Sequence, residues 1–268
     1  MSPLSRHLPL LAVGLAALAF THPVFAQTSA PSLMLLKQAM ASTWSHHGLA
    51  AETDLHINVT GEGAGVTCRE RIQILAVQPD KYRSVVTLIK PDGSQGVIYR
   101  IISDGSKVIT YRPGLQEYAV QPARQFEQQA EDFPPLGLYV GALFFADKSF
   151  TTLFSAITPG NESQVAAILS GIDASVSSKR LSLDGSQYAV YTLYVPKDGW
   201  TYRFFVDPKT SALKRIEMTV VQVPITMMVV EYVRSSRPAS PPPATFQVMP
   251  PQGTARVRDL PVSPFYDK

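Results

Sequence analysis

The connections between the strand-like segments of this chain are very short. Turn sequences such as PDGSQG at 91–96 and DGS at 104–106 separate segments whose apolar residues alternate with a period of two, for example KYRSVVTLI at 81–89. A parallel crossover needs a dozen or more residues, whereas an antiparallel hairpin needs only two to five. The spacing therefore predicts an antiparallel meander of about eleven strands, in two blocks separated by a segment without alternation.

Helical patterns stand apart from the two strand blocks. The segment Pro31–Trp44 places Leu33, Leu36 and Met40 on one helical face, and the segment at about 122–170 contains short helical stretches broken by proline pairs. Helices that do not alternate with strands indicate an α+β fold. Because strand twist accumulates, a sheet of this size must curl. We expect a large curled antiparallel sheet, an unclosed half-barrel, with the helices as a plug and the segment at 122–170 as a helical lid insertion.

Residues 1–26 have the pattern of a cleavable secretory signal peptide. Arg6 precedes an apolar run at 8–20, and the small residues Val24 and Ala26 stand at the positions that a signal peptidase reads. An uncleaved anchor is the alternative, although the run is short for a membrane span. Cys68 is the single cysteine, so we expect no internal disulfide and no lipid anchor after the signal. Residues 27–268 are then expected to fold in an oxidising compartment outside the cytoplasm, as one large β domain or two small ones.

The patterns of catalytic and metal sites are missing from the sequence. The histidines after the signal lack the His-x-x-x-His spacing, no Cys-x-x-Cys pair exists, and no Gly-x-Ser-x-Gly elbow is present. The Asp-Gly pairs are typical of hairpin turns. Charges are interspersed, and the formal net charge of +3 falls to +2 (3 − 1) without Arg6, which disfavours nucleic acid as a partner. We expect no enzyme, no cofactor and no metal.

Several strands are apolar on both faces, for example VIYRIIS at 97–103 and ITMMVVEYV at 225–233. An antiparallel sheet with one solvated side is more polar on that side. Two explanations stay open: helices or a partner chain cover both faces, or the sheet lines an apolar ligand cavity. Methionine and aromatic side chains suit a lining for lipid chains and are equally ordinary core residues. The candidate lining residues are Met40, Trp44, Tyr99, Phe144, Phe145 and Met228.

Four segments resemble the LolA-like superfamily of periplasmic lipoprotein carriers, the LolA/LolB/RseB-type half-barrels. They are QPDKYR at 78–83, ISDGSKVITYRPGLQEYAV at 102–120, FFVDPKTSALKRIEM at 204–218 and ATFQVMPPQGTARV at 244–257. They resemble, in order, a Pro-x-x-aromatic segment, a hairpin with a Pro-containing turn, a late hairpin with an Asp-led turn, and a closing Phe-x-Phe-like strand followed by Pro-Pro-x-Gly. The resemblance covers most of the chain after residue 26, in order.

The resemblance implies that residues 27–268 form one domain in the periplasm, an unclosed β-barrel with a helical lid over an apolar cavity. It implies a soluble periplasmic carrier or binding protein for lipid or lipoprotein acyl chains, which acts by lid opening and handover without covalent chemistry. The alternative is a structural or regulatory module, like an RseB-type sensor, that docks a membrane-protein or lipoprotein partner. Gln78 stands where LolA has the arginine that fastens its lid. We therefore expect a divergent member in which that fastening does not carry over.

The proline-rich end of the chain is expected to supply a late edge strand. Phe246 and Val248 alternate as strand residues, and Pro250 and Pro251 then end the pairing because proline lacks an amide hydrogen. The loose parts are expected at 235–243 and after Asp259.

Overall fold

The computed structural model describes residues 30–44, 48–61, 64–77, 80–130, 136–140, 157–160, 165, 167, 169–170, 173–196, 199–222 and 224–262. The predicted signal segment 1–26, Gln78, Phe144 and Phe145 lie outside the described residues. For Trp44, the helical backbone is described and the side chain is not.

The described residues form twelve strands and three α-helices. The strands are β1 Leu49–Gly61, β2 Ala64–Val77, β3 Lys81–Ile89, β4 Gln95–Asp104, β5 Lys107–Arg112, β6 Glu117–Pro122, β7 Ser175–Leu183, β8 Ser186–Val195, β9 Trp200–Val206, β10 Leu213–Gln222, β11 Ile225–Pro238 and β12 Ala255–Arg256. The helices are α1 Leu33–Trp44, α2 Ala123–Ala130 and α3 Gly137–Val140. Among the described residues, no helix is long and apolar enough to cross a bilayer.

The strands form one sheet in the order β12-β6-β5-β4-β3-β2-β1-β11-β10-β9-β8-β7. Two antiparallel meanders, β1–β6 and β7–β11, are joined by the pairing of β1 with β11. Because β7 and β12 remain as edges, the sheet is not closed. The predicted unclosed α+β half-barrel is confirmed, and the predicted strands correspond to β1–β11. The additional β12 pairs in parallel with β6, so the sheet is mixed.

The two faces of the sheet differ in what covers them. We call the face that α1 and α3 cover the inner face; it carries the main core, for example Leu55, Ile57 and Val229, all buried. The start of α1 is held there by two hydrogen bonds, from Tyr191 Oη to the Ser32 carbonyl at 2.7 Å and from Ser178 Oγ to the Pro31 carbonyl at 2.8 Å. The opposite side is the outer face.

The end of the chain differs from the prediction. Residues Pro243–Phe246 form a 3-10 turn, with Phe246 buried beside Lys81 and Asp104. The late edge strand lies after the proline pair, at Ala255–Arg256, where the amide of Ala255 donates to the carbonyl of Gln116. The prediction of an edge strand is confirmed, but its placement at Phe246 and Val248 is wrong. Pro250 and Pro251 precede the pairing and do not end it.

Candidate functional site: the inner face of the half-barrel

Inner-face residues of six neighbouring strands line up in three rows, because paired residues of adjacent strands point to the same face. The rows cross β2, β1, β11, β10, β9 and β8 in this order. The row nearest the hairpin ends, the rim row, is Val66, Val59, Met227, Val220, Trp200 and Val195. The middle row is Cys68, Ile57, Val229, Met218, Tyr202 and Leu193, and the floor row is Glu70, Leu55, Glu231, Ile216, Phe204 and Tyr191.

The rim row is apolar in all six positions and only partly covered. Val66 is 47% exposed, and Val59, Met227, Trp200 and Val195 are half-buried. With about 4.8 Å between neighbouring strands, the row extends roughly 24 Å across the sheet. An apolar row of this extent that remains partly open is a candidate binding surface.

Burial increases from the rim toward the floor. In the middle row Ile57 and Val229 are fully buried, while Tyr202 is half-buried. The rings of Trp200, Tyr202 and Phe204 follow one another along β9, with centroids 5.8 and 6.4 Å apart. Alternate residues of a strand share one face, so this aromatic ladder connects the three rows.

The floor row contains two buried carboxyl groups. Glu231 Oε2 accepts the backbone amide of Tyr139 at 2.6 Å, which fastens the start of α3 to the sheet. Gly137 lies against the same carboxyl group with a φ of +78°, and a β-carbon there would overlap Glu231 Oε1. Burial raises the pKa of Glu231 to about 7, although Thr53 and the amides of Tyr139 and Leu138 lower it.

Glu70 is the second carboxyl group of the floor. It lies on the other side of Leu55 from Glu231 and is 1% exposed. Within the described parts of the chain, neither of its oxygens has a hydrogen-bond partner. Burial, and to a smaller extent the charge of Glu231, raises its pKa to about 8. At neutral pH Glu70 is therefore mostly protonated, whereas Glu231, with a pKa of about 7, is partly ionised.

The outer face of the same strands has a different character. Glu217, on β10, forms ion pairs with Arg203 and Arg215. The guanidinium of Arg215 lies between the rings of Phe205 and Tyr232, at 5.0 and 4.9 Å from their centroids. On these strands the outer face therefore carries ion pairs and cation–π contacts, whereas the rim row of the inner face is apolar in every position.

The structure places the predicted lining residues at different depths. Met40 on α1 and Tyr99 on β4 are both 2% exposed and belong to the core of the inner face, away from the open rim. Met228 lies on the outer face, because it pairs with Asn58 and Thr219 on that side. Its prediction as a lining residue is wrong, and the preceding residue, Met227, faces inward. Trp44, Phe144 and Phe145 remain predictions.

The sequence analysis overlooked Glu70 and Glu231. Both stand on the apolar side of alternating segments: Glu70 continues the series of Ile72 and Ile74 on β2, and Glu231 continues that of Met227 and Val229 on β11. For Glu70 the alternation on β2 was the available signal, since a carboxyl group in phase with buried residues must be buried too, whereas the consecutive apolar residues of β11 gave no such signal for Glu231.

No family model and no curated protein matches the chain. Solved structures do, including LprF from Mycobacterium bovis (14% identity, 80% of this chain and 99% of that chain covered, TM-score 0.39) and a LolA superfamily protein from Nitrosomonas europaea (11%, 82% and 98%, 0.31). The Pseudomonas aeruginosa MucA/MucB complex matches at 10% identity over 81% of this chain and 60% of that chain, with a TM-score of 0.34. At these identities and TM-scores, function must be inferred from the residues of this chain.

Proposed function

We propose that the chain is a periplasmic binding or carrier protein for an acylated or otherwise apolar ligand, such as a lipid or a lipoprotein acyl chain. The ligand lies on the inner face along the rim row. The observation that supports this proposal is the partly exposed, wholly apolar row that runs from Val66 to Val195 across six strands.

The chemistry of the inner face suits such a ligand. Removing apolar surface from water contributes about 0.8 kcal/mol per methylene, so a long acyl chain along the row is held tightly without any covalent step. The carboxyl groups of Glu70 and Glu231 lie beneath the row with pKa values raised to about 8 and about 7, so at neutral pH they carry less negative charge than two ordinary carboxylates would. Met227 and Trp200 supply adaptable and flat contacts for a flexible chain.

Adjacent methionines on opposite faces allow a matched test. Met227→Asp places a charge in the rim row, whereas Met228→Asp places the same charge on the outer face, where Met228 is 39% exposed. We expect the wild type and Met228→Asp to bind a fluorescent fatty acid, and Met227→Asp to lose at least ten-fold in affinity because an acyl chain over the row would remove the carboxylate from water. Circular dichroism controls for folding.

Native mass spectrometry of the wild type provides an independent readout. Protein purified from its own periplasm is expected to carry an apolar ligand that is absent from Met227→Asp. Failure of the wild type both to carry lipid and to take up the fatty acid contradicts the proposal. Equal uptake by the two methionine variants contradicts the placement on the inner face.

The alternative function is docking of a membrane-protein partner by the sheet. On the outer face, Val221 and Tyr232 are 53% and 38% exposed, which gives such a partner an apolar contact. In that case Met228→Asp, and not Met227→Asp, is the variant that disturbs function.

A further inference from the structure

The outer face of β2, β3 and β4 carries an excess of basic side chains. Its charged positions hold Arg69, Arg71, Lys81, Arg83 and Arg100 against a single acid, Asp104. This local charge of +4 (5 − 1) exceeds the formal net charge of +3 of the entire chain. The sequence analysis described the charges as interspersed, but strand pairing brings these five to one side.

Neighbouring acids engage only part of this charge. Arg71 contacts Asp54 at 3.2 Å and Glu52 at 3.8 Å, both on β1. The carboxylate of Asp104 is engaged in its own turn, where it accepts the amides of Ser106 and Lys107, each at 2.8 Å. The remaining four side chains, Arg69, Lys81, Arg83 and Arg100, are all exposed, and we call them the basic patch.

Aliphatic side chains alternate with the basic patch. Across the strands, Arg69 pairs with Ile89, Arg100 pairs with Val85, and Arg83 pairs with Leu75 and Ile102. These aliphatic residues are all half-buried, so each arginine stands beside a partly exposed apolar side chain. The 3-10 turn with Phe246 covers only the end of this face near Lys81 and Asp104.

We propose that the basic patch docks the protein on the surface of an anionic lipid bilayer. Basic groups beside an anionic bilayer gain electrostatic attraction that falls off within a Debye length, and arginine interleaved with aliphatic residues matches an interface of anionic headgroups over acyl chains. An acidic polypeptide would satisfy the charges but leave the interleaved aliphatic residues without an apolar counterpart. The half-buried Val85, Ile89 and Ile102 therefore favour lipid as the occupant.

Docking by this face is independent of ligand binding on the inner face. The two surfaces lie on opposite sides of one sheet, so the rim row remains accessible to a chain leaving or entering the bilayer. A failure of vesicle binding would therefore leave the proposed ligand binding unaffected, and a failure of ligand binding would leave the proposed membrane docking unaffected.

The test uses vesicle co-sedimentation of the protein as purified from its own periplasm. The vesicles consist of phosphatidylcholine alone or of phosphatidylcholine mixed with phosphatidylglycerol, at about 0.05 M and about 0.5 M salt. We expect binding to the anionic vesicles at low salt, loss of binding at high salt, and no binding to phosphatidylcholine alone. Each basic residue near an anionic surface adds to the free energy of binding. The double variant Arg83→Gln/Arg100→Gln should therefore bind the anionic vesicles about 30-fold more weakly than the wild type.

The control removes the same number of charges elsewhere. Lys179 on β7 and Lys209 in the β9–β10 turn are exposed and distant from the basic patch in the order of strands. Lys179→Gln/Lys209→Gln should bind anionic vesicles like the wild type, and Arg83→Gln/Arg100→Gln should keep fatty-acid uptake. The proposal is overturned by absence of binding to anionic vesicles, by equal losses in the two double variants, or by binding to polyglutamate in place of vesicles.

Discussion

The buried carboxyl group of Glu70 makes a quantitative prediction about stability and pH. Its pKa in the folded protein is raised from 4.5 to about 8, mainly by burial. Between these two values the folded state holds a proton that the unfolded state has released. The free energy of unfolding therefore falls as pH rises, by about 1.4 kcal/mol per pH unit from this group. The stability is fully present below pH 4.5 and is lost by pH 8.

Replacing Glu70 by glutamine removes this titration and keeps the size of the side chain. At about pH 5, half a pH unit above the unfolded pKa of 4.5, the wild type has lost less than about 1 kcal/mol of this stability, so we expect the variant and the wild type to be similarly stable. At about pH 8 the variant should be more stable by about 4 kcal/mol, from three pH units at about 1.4 kcal/mol each. That is a large fraction of the 5–15 kcal/mol that is typical of a whole domain.

Urea unfolding followed by tryptophan fluorescence measures this difference. Trp200 is one of two tryptophans in the chain and lies in the rim row. Comparing variant with wild type at each pH cancels titrating groups that do not interact with Glu70, among them His56, whose pKa burial lowers; Glu231, whose charge contributes to the pKa of Glu70, is part of the measured effect. Glu52→Gln is the matched control, because Glu52 lies on neighbouring β1 and contacts Arg71 on the outer face.

The expected result is a stability difference that grows steadily between about pH 5 and pH 8 for Glu70→Gln and stays level for Glu52→Gln. A level difference for Glu70→Gln would falsify the assignment of a protonated carboxyl group in the floor. A variant that is less stable than the wild type at every pH would show instead that Glu70 forms a favourable ionic contact.

Two further changes test the contacts of the inner and outer faces. Gly137→Ala should lower the free energy of unfolding in a urea titration by about 2 kcal/mol or more, because φ is +78° and the added β-carbon meets Glu231 Cδ at 2.9 Å. Gly114→Ala is the control: an added β-carbon there has no atom within 4 Å, so the same titration should show little change. Burial raises the pKa of Asp54, but Arg234 and Arg71 outweigh it, so this pKa lies below its usual value. Asp54→Asn should therefore cost about 1 kcal/mol at neutral pH and nothing once acid has protonated the wild type; an equal cost at about pH 2 contradicts the ion pairs.

Local sequence patterns were sufficient for the elements of this fold. The turns at 91–96 and 104–106 are as short as predicted, with Asp92 Oδ1 accepting the amide of Ser94 at 2.9 Å and Asp104 accepting those of Ser106 and Lys107. The helical spacing of Leu33, Leu36 and Met40 likewise produced α1. Hairpins and amphipathic helices depend on residues close in sequence, which makes them readable without a structure.

Where both faces of a strand are apolar, the sequence alone did not show which side chains point to the inner face. β11 contains Met227, Met228, Val229 and Val230 in succession, so alternation alone gives no phase. The inward direction of Met227 follows from its pairing with Val59, and the outward direction of Met228 from its pairing with Asn58. This register connects residues far apart in the chain.

The end of the chain shows a second limit. The Phe-x-Val pattern suggested a strand, but Phe246 is 3% exposed in a 3-10 turn on the outer side of the sheet. The pairing of β12 with β6 depends on where the edge of the first meander lies. That edge is a property of the assembled sheet, which residues 244–257 alone do not encode.

By itself, the sequence determined the order of strands along the chain, the hairpins between them and the helix that begins at Leu33, because short turns and side-chain periodicity act locally. Only the tertiary structure joined β1 to β11, aligned the apolar rim row, buried Glu70 and Glu231 around Leu55, and gathered the basic patch on the outer face. These features arise when strands from two meanders pair in one register. Charge, burial and exposure are then properties of neighbours across the sheet rather than of neighbours along the chain.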